Sequence, residues 1–228
     1  MSINIAIDGP AGAGKSTVAR RAAEKLGFIY VDTGAMYRAI ALYLLRQGVK
    51  PEEKEAIAGR CAGAQVSIAY QGGEQIVSLN GENVNGLIRT DEVTRMSSAA
   101  SAVPAVRARL LDLQRSLAAE HDVIMDGRDI GTCILPDANV KIFLTASTAV
   151  RAKRRFDELR AKGDTSETLE SVEEKIIRRD EDDRNREISP LREAQDAVHL
   201  DTSDMNIDQA VEAVLSICRR KGCLSCDQ

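Results

Sequence analysis

Polar and apolar positions along this chain follow two rhythms. Short apolar runs, Ile3-Asn4-Ile5-Ala6-Ile7, Phe28-Ile29-Tyr30-Val31, Val123-Ile124-Met125, Val140-Lys141-Ile142-Phe143-Leu144 and Val198-His199-Leu200, recur between longer stretches with helical spacing. Short continuous apolar runs read as strands covered on both faces, and their alternation with helices implies a parallel sheet. Helices are predicted over about residues 15–26, 35–47, 51–62, 91–119 with a break near Pro104, 148–161, 170–187 and 207–220. The expected fold is α/β, three layers (α/β/α) around a five-stranded parallel sheet, with ligands gathering beyond the carboxyl ends of the strands.

One stretch breaks the alternation. Val66-Ser67-Ile68-Ala69-Tyr70 and Gln75-Ile76-Val77-Ser78-Leu79 flank Gly72-Gly73 and are followed by Asn80-Gly81. This predicts a small antiparallel β meander inserted over about residues 63–90. A chain of 228 residues, 43% apolar, suits a single domain over 1–228. Two charged helices over 151–189 are expected to bear a short lid, with Lys162-Gly163-Asp164-Thr165 as their mobile connector.

Chemistry enters where the first strand ends. Gly9-Pro10-Ala11-Gly12-Ala13-Gly14-Lys15-Ser16 satisfies G-x-x-x-x-G-K-[ST], and Thr17 continues into a good helix. Such glycines let backbone amides turn inward around phosphate oxygens, Lys15 adds a mobile charge, and Ser16 offers a hydroxyl to Mg²⁺. The loop is that of a nucleoside triphosphate site, the P-loop. After the second strand, Asp32-Thr33-Gly34-Ala35-Met36-Tyr37-Arg38 opens a helix whose amides and Arg38 suit a second phosphate. After the third, Asp126-Gly127-Arg128-Asp129-Ile130-Gly131-Thr132 sets a carboxylate at a strand end, where it could hold Mg²⁺ through water, and aims Arg128 and Asp129 at the crevice. On the predicted helix 170–187, Arg179, Asp183 and Arg186 share one face at i, i+4 and i+7. Arginine forks match phosphate and ribose oxygens.

Composition narrows the classes. No run approaches the roughly 20 apolar residues of a membrane helix, and the first residues lack the basic-then-apolar order of a secretion signal. A cytoplasmic protein is expected. The net charge of −4 argues against nucleic-acid or membrane partners, and nothing demands more than a monomer. Cys218, Cys223 and Cys226 are too few for the usual four zinc ligands and read as a loose tail. Neither His121 nor His199 lies in a motif, so the site is not built around a general base. A phosphate-monoester acceptor needs none, since its second pKa is about 6 and its oxygen is already an anion.

Together these residues resemble the nucleoside monophosphate kinases, and most closely the bacterial-type cytidylate kinases. The likeness is carried by Gly9–Ser16, Asp32–Arg38, the meander, Ser98 with Val103-Pro104-Ala105-Val106-Arg107, Asp126–Thr132, Pro136-Asp137-Ala138, and Arg184-Asn185-Arg186 before Ser189-Pro190-Leu191. The resemblance implies transfer of the ATP γ-phosphoryl group to CMP or dCMP with Mg²⁺. It implies that Ser98, Arg107 and Asp129 read cytosine, that Arg38, Arg128 and Arg186 hold the acceptor phosphate near Thr33, and that Arg179 and Asp183 meet the ribose. Lys15, Arg128 and Arg186 would then be the catalytic charges, with Arg154 and Arg155 on the donor-side lid. A carboxylate at Asp129 would accept from the exocyclic amine that cytosine has and uracil lacks. Two departures stand out: Thr33 replaces a frequent Ser, and Asp182 sits where some relatives carry Arg. The competing readings are a kinase for UMP, AMP or shikimate, and a nucleotide-binding switch; the Asn-Lys-x-Asp guanine reader of the GTPases is absent.

Overall fold

The structure is a computed structural model and describes residues 2–161 and 163–223. Cys226 and Lys162 therefore lie outside the described residues. The element order is β1 (Asn4–Asp8), α1 (Lys15–Leu26), β2 (Ile29–Asp32), α2 (Thr33–Arg46), α3 (Lys54–Arg60), β3 (Val66–Gln71), β4 (Glu74–Leu79) and β5 (Glu82–Asn83). There follow α4 (Asp91–Ser101), α5 (Pro104–Glu120), β6 (Val123–Gly127), β7 (Val140–Thr145), α6 (Thr148–Ala161), α7 (Leu169–Arg184), β8 (Val198–Asp201) and α8 (Ile207–Arg220).

The architecture is the expected α/β one. A five-stranded sheet runs in the order β2-β6-β1-β7-β8, and a separate three-stranded sheet in the order β3-β4-β5. β1 pairs in parallel with β7, Ile5 opposite Val140, and β7 with β8, Ile142 opposite Val198. Ile5, Ala6 and Ile7 are wholly buried, as are Ile124 and Met125, which is why these strands are apolar on both faces rather than alternating. The meander alternates instead: β3 and β4 pair antiparallel from Val66 opposite Leu79 to Gln71 opposite Glu74, and Val77 and Leu79 supply its buried side.

Local chemistry sets the helix ends. Gly14 and Gly27 bracket α1 in left-handed conformations, and the Gly27 amide closes the last turn. Pro104 opens α5 at its first turn, and Val103 before it is extended, so one predicted segment becomes two helices. Reciprocal capping boxes start α7, through Thr168 and Ser171, and α8, through Asn206 and Gln209. The helix predicted over 51–62 shortens to α3 followed by a tight 3₁₀ turn over Cys61–Gly63. There a Cβ on Gly63 would lie 2.1 Å from the Tyr43 hydroxyl, so the turn packs against α2.

Two compact units can be distinguished, one comprising Ser2 and Phe28–Val123, the other Ile3–Gly27 and the chain from Ile124 onward. The first holds α2 to α5 and the meander. The second holds the P-loop, α1 and the C-terminal elements, among them α6 and α7, which meet through Ala152, Val172 and Ile176 with Phe156, Leu159 and Leu169 around them.

Candidate active site

In the second unit the loop Gly9–Ser16 follows β1 with a backbone that only its glycines tolerate. Gly9 has φ +149°, and a Cβ there would stand 2.0 Å from the Leu144 carbonyl oxygen. The loop therefore presses directly on β7. Its far side rests on α6: the buried Arg151 donates to Ala11 O at 2.9 Å and to Ala146 O at 2.9 Å, and pairs with Asp180 Oδ2 of α7 at 2.7 Å. Arg154 donates to Thr202 O at 2.7 Å and approaches Ala13 O at 3.5 Å. Arg155, grouped with it by the sequence, pairs instead with Glu158 at 3.4 Å on the exposed side of α6.

Lys15 opens α1 and is buried, its Nζ donating to Pro10 O at 2.8 Å. Burial, reinforced by the nearby Arg128 guanidinium, depresses its ammonium to about 7 despite Asp126, Asp8 and Asp183. Ser16 donates its hydroxyl to Asp126 Oδ2 at 2.9 Å, joining the loop to the end of β6. These are hard oxygen donors side by side, a fitting pair for a divalent cation of the Mg²⁺ type. Among the described residues no group of three or more His, Cys, Asp or Glu side chains is arranged to hold a metal.

Asp8, the last residue of β1, was not among the expected site residues, yet it organises the strand-end motif. Its carboxylate accepts from the Ile130 amide at 2.8 Å and the Gly131 amide at 2.7 Å. Burial raises its pKa to about 6 against the pull of those two amides. The segment it caps, Ile130–Ile134, is a π turn: Leu135 N–H reaches Ile130 O at 2.7 Å and Ile134 N–H reaches Asp129 O at 3.2 Å. Gly131 packs closely there: a Cβ would lie 3.2 Å from Lys141 Cδ and 3.4 Å from Asp8 Oδ2. Asp129, buried, stands at the start of this turn.

The arginines converge on one carboxylate. Arg128 Nε donates to Asp183 Oδ2 at 2.9 Å, and Arg186 Nη2 donates to Asp183 Oδ1. Burial alone would raise the Asp183 pKa, but Arg128, Arg186 and Arg179 together outweigh it and hold the carboxyl below its ordinary range. α7 ends at Arg184, so the expected helical placement of Arg186 is corrected. Arg186 reaches Asp183 from the turn beyond the helix, where the Leu191 amide also returns to Asp183 O at 2.8 Å. Arg179 and Asp183 do share the helix face that the i, i+4 spacing requires.

The first unit gathers the other expected residues. Asp32 caps α2 by accepting from Ala35 N at 2.8 Å, and its second oxygen accepts from Arg38 at 3.0 Å and from Arg89 at 3.3 Å. Thr33 is buried beside it. Gly34 leaves room for this cluster, since its Cβ would meet Arg38 and Asp32 atoms at 3.1 Å. Arg107 uses the bend at Pro104 to reach back to Ser101 O at 3.2 Å, and its guanidinium lies 5.6 Å from the Tyr37 ring centre. Ser98 is one turn earlier on α4, its carbonyl accepting from Ser101 Oγ at 2.9 Å. Asp32, expected to open the helix, does so and also holds the arginines; Arg89 could be found as the lone Arg closing the insertion, whereas Gln75, which contacts Asp32, carries no signal.

No described helix is long and apolar enough to cross a membrane. A solved structure of an uncharacterized protein from Eubacterium ventriosum is similar with a TM-score of 0.54 at 12% identity, over 94% of this chain and 97% of that one. That likeness concerns the fold alone. By sequence, the chain is 48% identical over 219 residues to a cytidylate kinase from Lactobacillus johnsonii, covering 96% of this chain and 95% of that protein. It is 46% identical over 215 residues to a cytidylate kinase from Caldicellulosiruptor bescii, covering 94% and 95%. The sequence profile of cytidylate kinases matches residues 5–220. This chain belongs to the cytidylate kinase family.

Proposed function

We propose that the protein transfers the γ-phosphoryl group of ATP to CMP and dCMP, yielding ADP and the cytidine diphosphate. Membership of the family supports the reaction, and the pairing of Arg128 and Arg186 through Asp183 supports the way it is done. One buried carboxylate holds two guanidinium groups with donors left over, since each fork carries five N–H groups. An acceptor phosphate arriving there meets two fixed positive charges, and its oxygen, already an anion at pH 7, needs no general base. Positioning and charge neutralisation then carry the in-line transfer.

The loop Gly9–Thr17 takes the triphosphate, with Arg154 steadying its carbonyl side and Arg155, paired with Glu158 on the exposed side of α6, reaching the donor from the solvent side. Lys15 is half charged near neutrality in the free protein and becomes fully charged when phosphate oxygens replace the lost solvent. Ser16 and Asp126 would hold Mg²⁺, which when bound neutralises phosphate charge. Asp129 accepts from the cytosine amine, Ser98 and Arg107 complete the base contacts, Arg38 joins the acceptor phosphate near Thr33, and Arg179 and Asp183 meet the ribose. Asp183 can do this while paired, because a carboxylate has about four lone-pair sites.

The test is an acceptor screen with ATP and Mg²⁺, reading ADP formed with CMP, dCMP, UMP, AMP and shikimate. CMP and dCMP are expected to give the highest kcat/KM. A clear preference for UMP, AMP or shikimate would overturn the assignment, and GTP binding without any turnover would favour a switch.

A further inference from the structure

β2 is the terminal strand of the five-stranded sheet. At its start the Ile29 amide bonds Asp122 O at 2.9 Å. Tyr30 and Asp32, the next two alternate positions, have main-chain groups that hydrogen-bond side chains of the three-stranded sheet. Among the described residues no strand pairs with β2 on the side away from β6. Side chains of the three-stranded sheet fill it instead.

Tyr70 and Gln75 are directly opposite in the β3–β4 ladder, so their side chains leave the same face. Tyr70 OH donates to Tyr30 O at 3.2 Å. Gln75 uses both ends of its amide on one residue: its Oε1 accepts from Asp32 N–H at 2.8 Å and its Nε2 donates to Asp32 O at 3.2 Å. Gln75 is itself secured by Asn85, whose Nδ2 donates to Gln75 O at 2.8 Å while its Oδ1 accepts from Val77 N at 2.9 Å. Glu82 of β5 then grips Arg46 at the far end of α2 through two bonds, at 2.5 and 3.0 Å. The residue clamped in this way is the one whose carboxylate caps α2 and holds Arg38 and the mostly exposed Arg89.

We propose that Gln75 is a positioning residue for the acceptor phosphate and that the inserted sheet serves to orient Asp32, and through it the arginine pair Arg38 and Arg89. A main-chain clamp on both the amide and the carbonyl of Asp32 fixes the plane from which its side chain leaves. Without the clamp, Asp32 keeps its charge but loses its direction, and the two guanidinium groups no longer share a fixed point. This inference rests on the reading that Arg38 meets the acceptor phosphate.

The experiment compares wild type, Gln75→Ala, Gln75→Glu, Arg38→Ala and the Gln75→Ala/Arg38→Ala double variant. Glutamate accepts from the Asp32 amide but cannot donate to its carbonyl, so it reproduces half of the clamp and serves if alanine impairs folding. Gln75→Ala is expected to raise KM for CMP about tenfold, the loss of one well-placed hydrogen-bonded clamp, with kcat and KM for ATP changed less than about twofold. Affinity for cytidine, which has no phosphate, should be unchanged by titration calorimetry. In the Arg38→Ala background the Gln75 substitution should add less than about twofold, because the groups act as a unit. Equal losses for CMP and cytidine, or full additivity with Arg38→Ala, would reduce Gln75 to a structural role and overturn the proposal. If Arg38→Ala raises KM but neither Gln75 variant does, the inference alone fails. If Arg38→Ala itself leaves KM for CMP untouched, the acceptor-phosphate reading beneath it fails.

Discussion

ATP binding is expected to take up a proton at Lys15. Burial depresses this ammonium from 10.5 to about 7 in the free protein, so at pH 8 only about one molecule in ten carries the charge. A bound triphosphate supplies the opposite charge that the buried site lacks, and returns the lysine towards its ordinary range. The bound state then holds more protons than the free state between pH 7 and about 10. Affinity is therefore greatest below pH 7, where the lysine is already charged, and falls about tenfold per pH unit above it, at a cost of about 1.4 kcal/mol each. At pH 8, clear of the phosphate titration near 6, binding should take up about 0.9 proton. Calorimetric titration in buffers of different ionisation enthalpy measures this directly. Lys15→Met should bind ATP more weakly, take up no proton there, and show an affinity flat between pH 7.5 and 9. A wild-type affinity that is equally flat, with no buffer dependence, would refute the reasoning.

Three further outcomes are expected. Gly9→Ala places a Cβ 2.0 Å from Leu144 O, whereas the Cβ of Gly12→Ala has 3.5 Å to its nearest neighbour; the first should abolish ATP turnover or folding, while the second costs about 1–2 kcal/mol of backbone strain, as a denaturant series would report. Asp180→Ala leaves the buried Arg151 without its 2.7 Å partner, which should cost about 3 kcal/mol and lower Tm by about 6–12 °C, and a shift under about 2 °C would show that the pair contributes little. Asp129→Ala should cut kcat/KM for CMP by about a hundredfold or more while KM for ATP moves less than about threefold; an unchanged kcat/KM for CMP would remove Asp129 from base reading.

The supporting residues act through contacts that the linear spacing of residues does not display. Asp8 reads as the last letter of a strand, and its reach to the Ile130 and Gly131 amides crosses 122 and 123 positions of sequence. The π turn that it caps has no hydrophobic period to betray it. The i, i+7 spacing predicts Arg186 on the helix, whereas α7 ends at Arg184 and Arg186 meets Asp183 from the turn beyond it. Arg151 carries no signal of its own in the sequence, and its burial against Asp180 makes it a strut of the loop.

What the sequence alone determined is everything that is local. The P-loop, the helix opening at Asp32, the Pro104 break, and the two periodicities of strand and meander each follow from a few neighbouring residues whose backbone preferences are short-ranged. The tertiary structure decided which charges share a partner and which are removed from water. Lys15 is titratable near neutrality only because folding buries it beside Arg128, and Asp183 is held below its ordinary range because Arg128, from the end of β6, joins the sequence-local Arg179 and Arg186 in outweighing its burial. Such energies depend on distance and dielectric, which no run of residues specifies until the chain has folded around them.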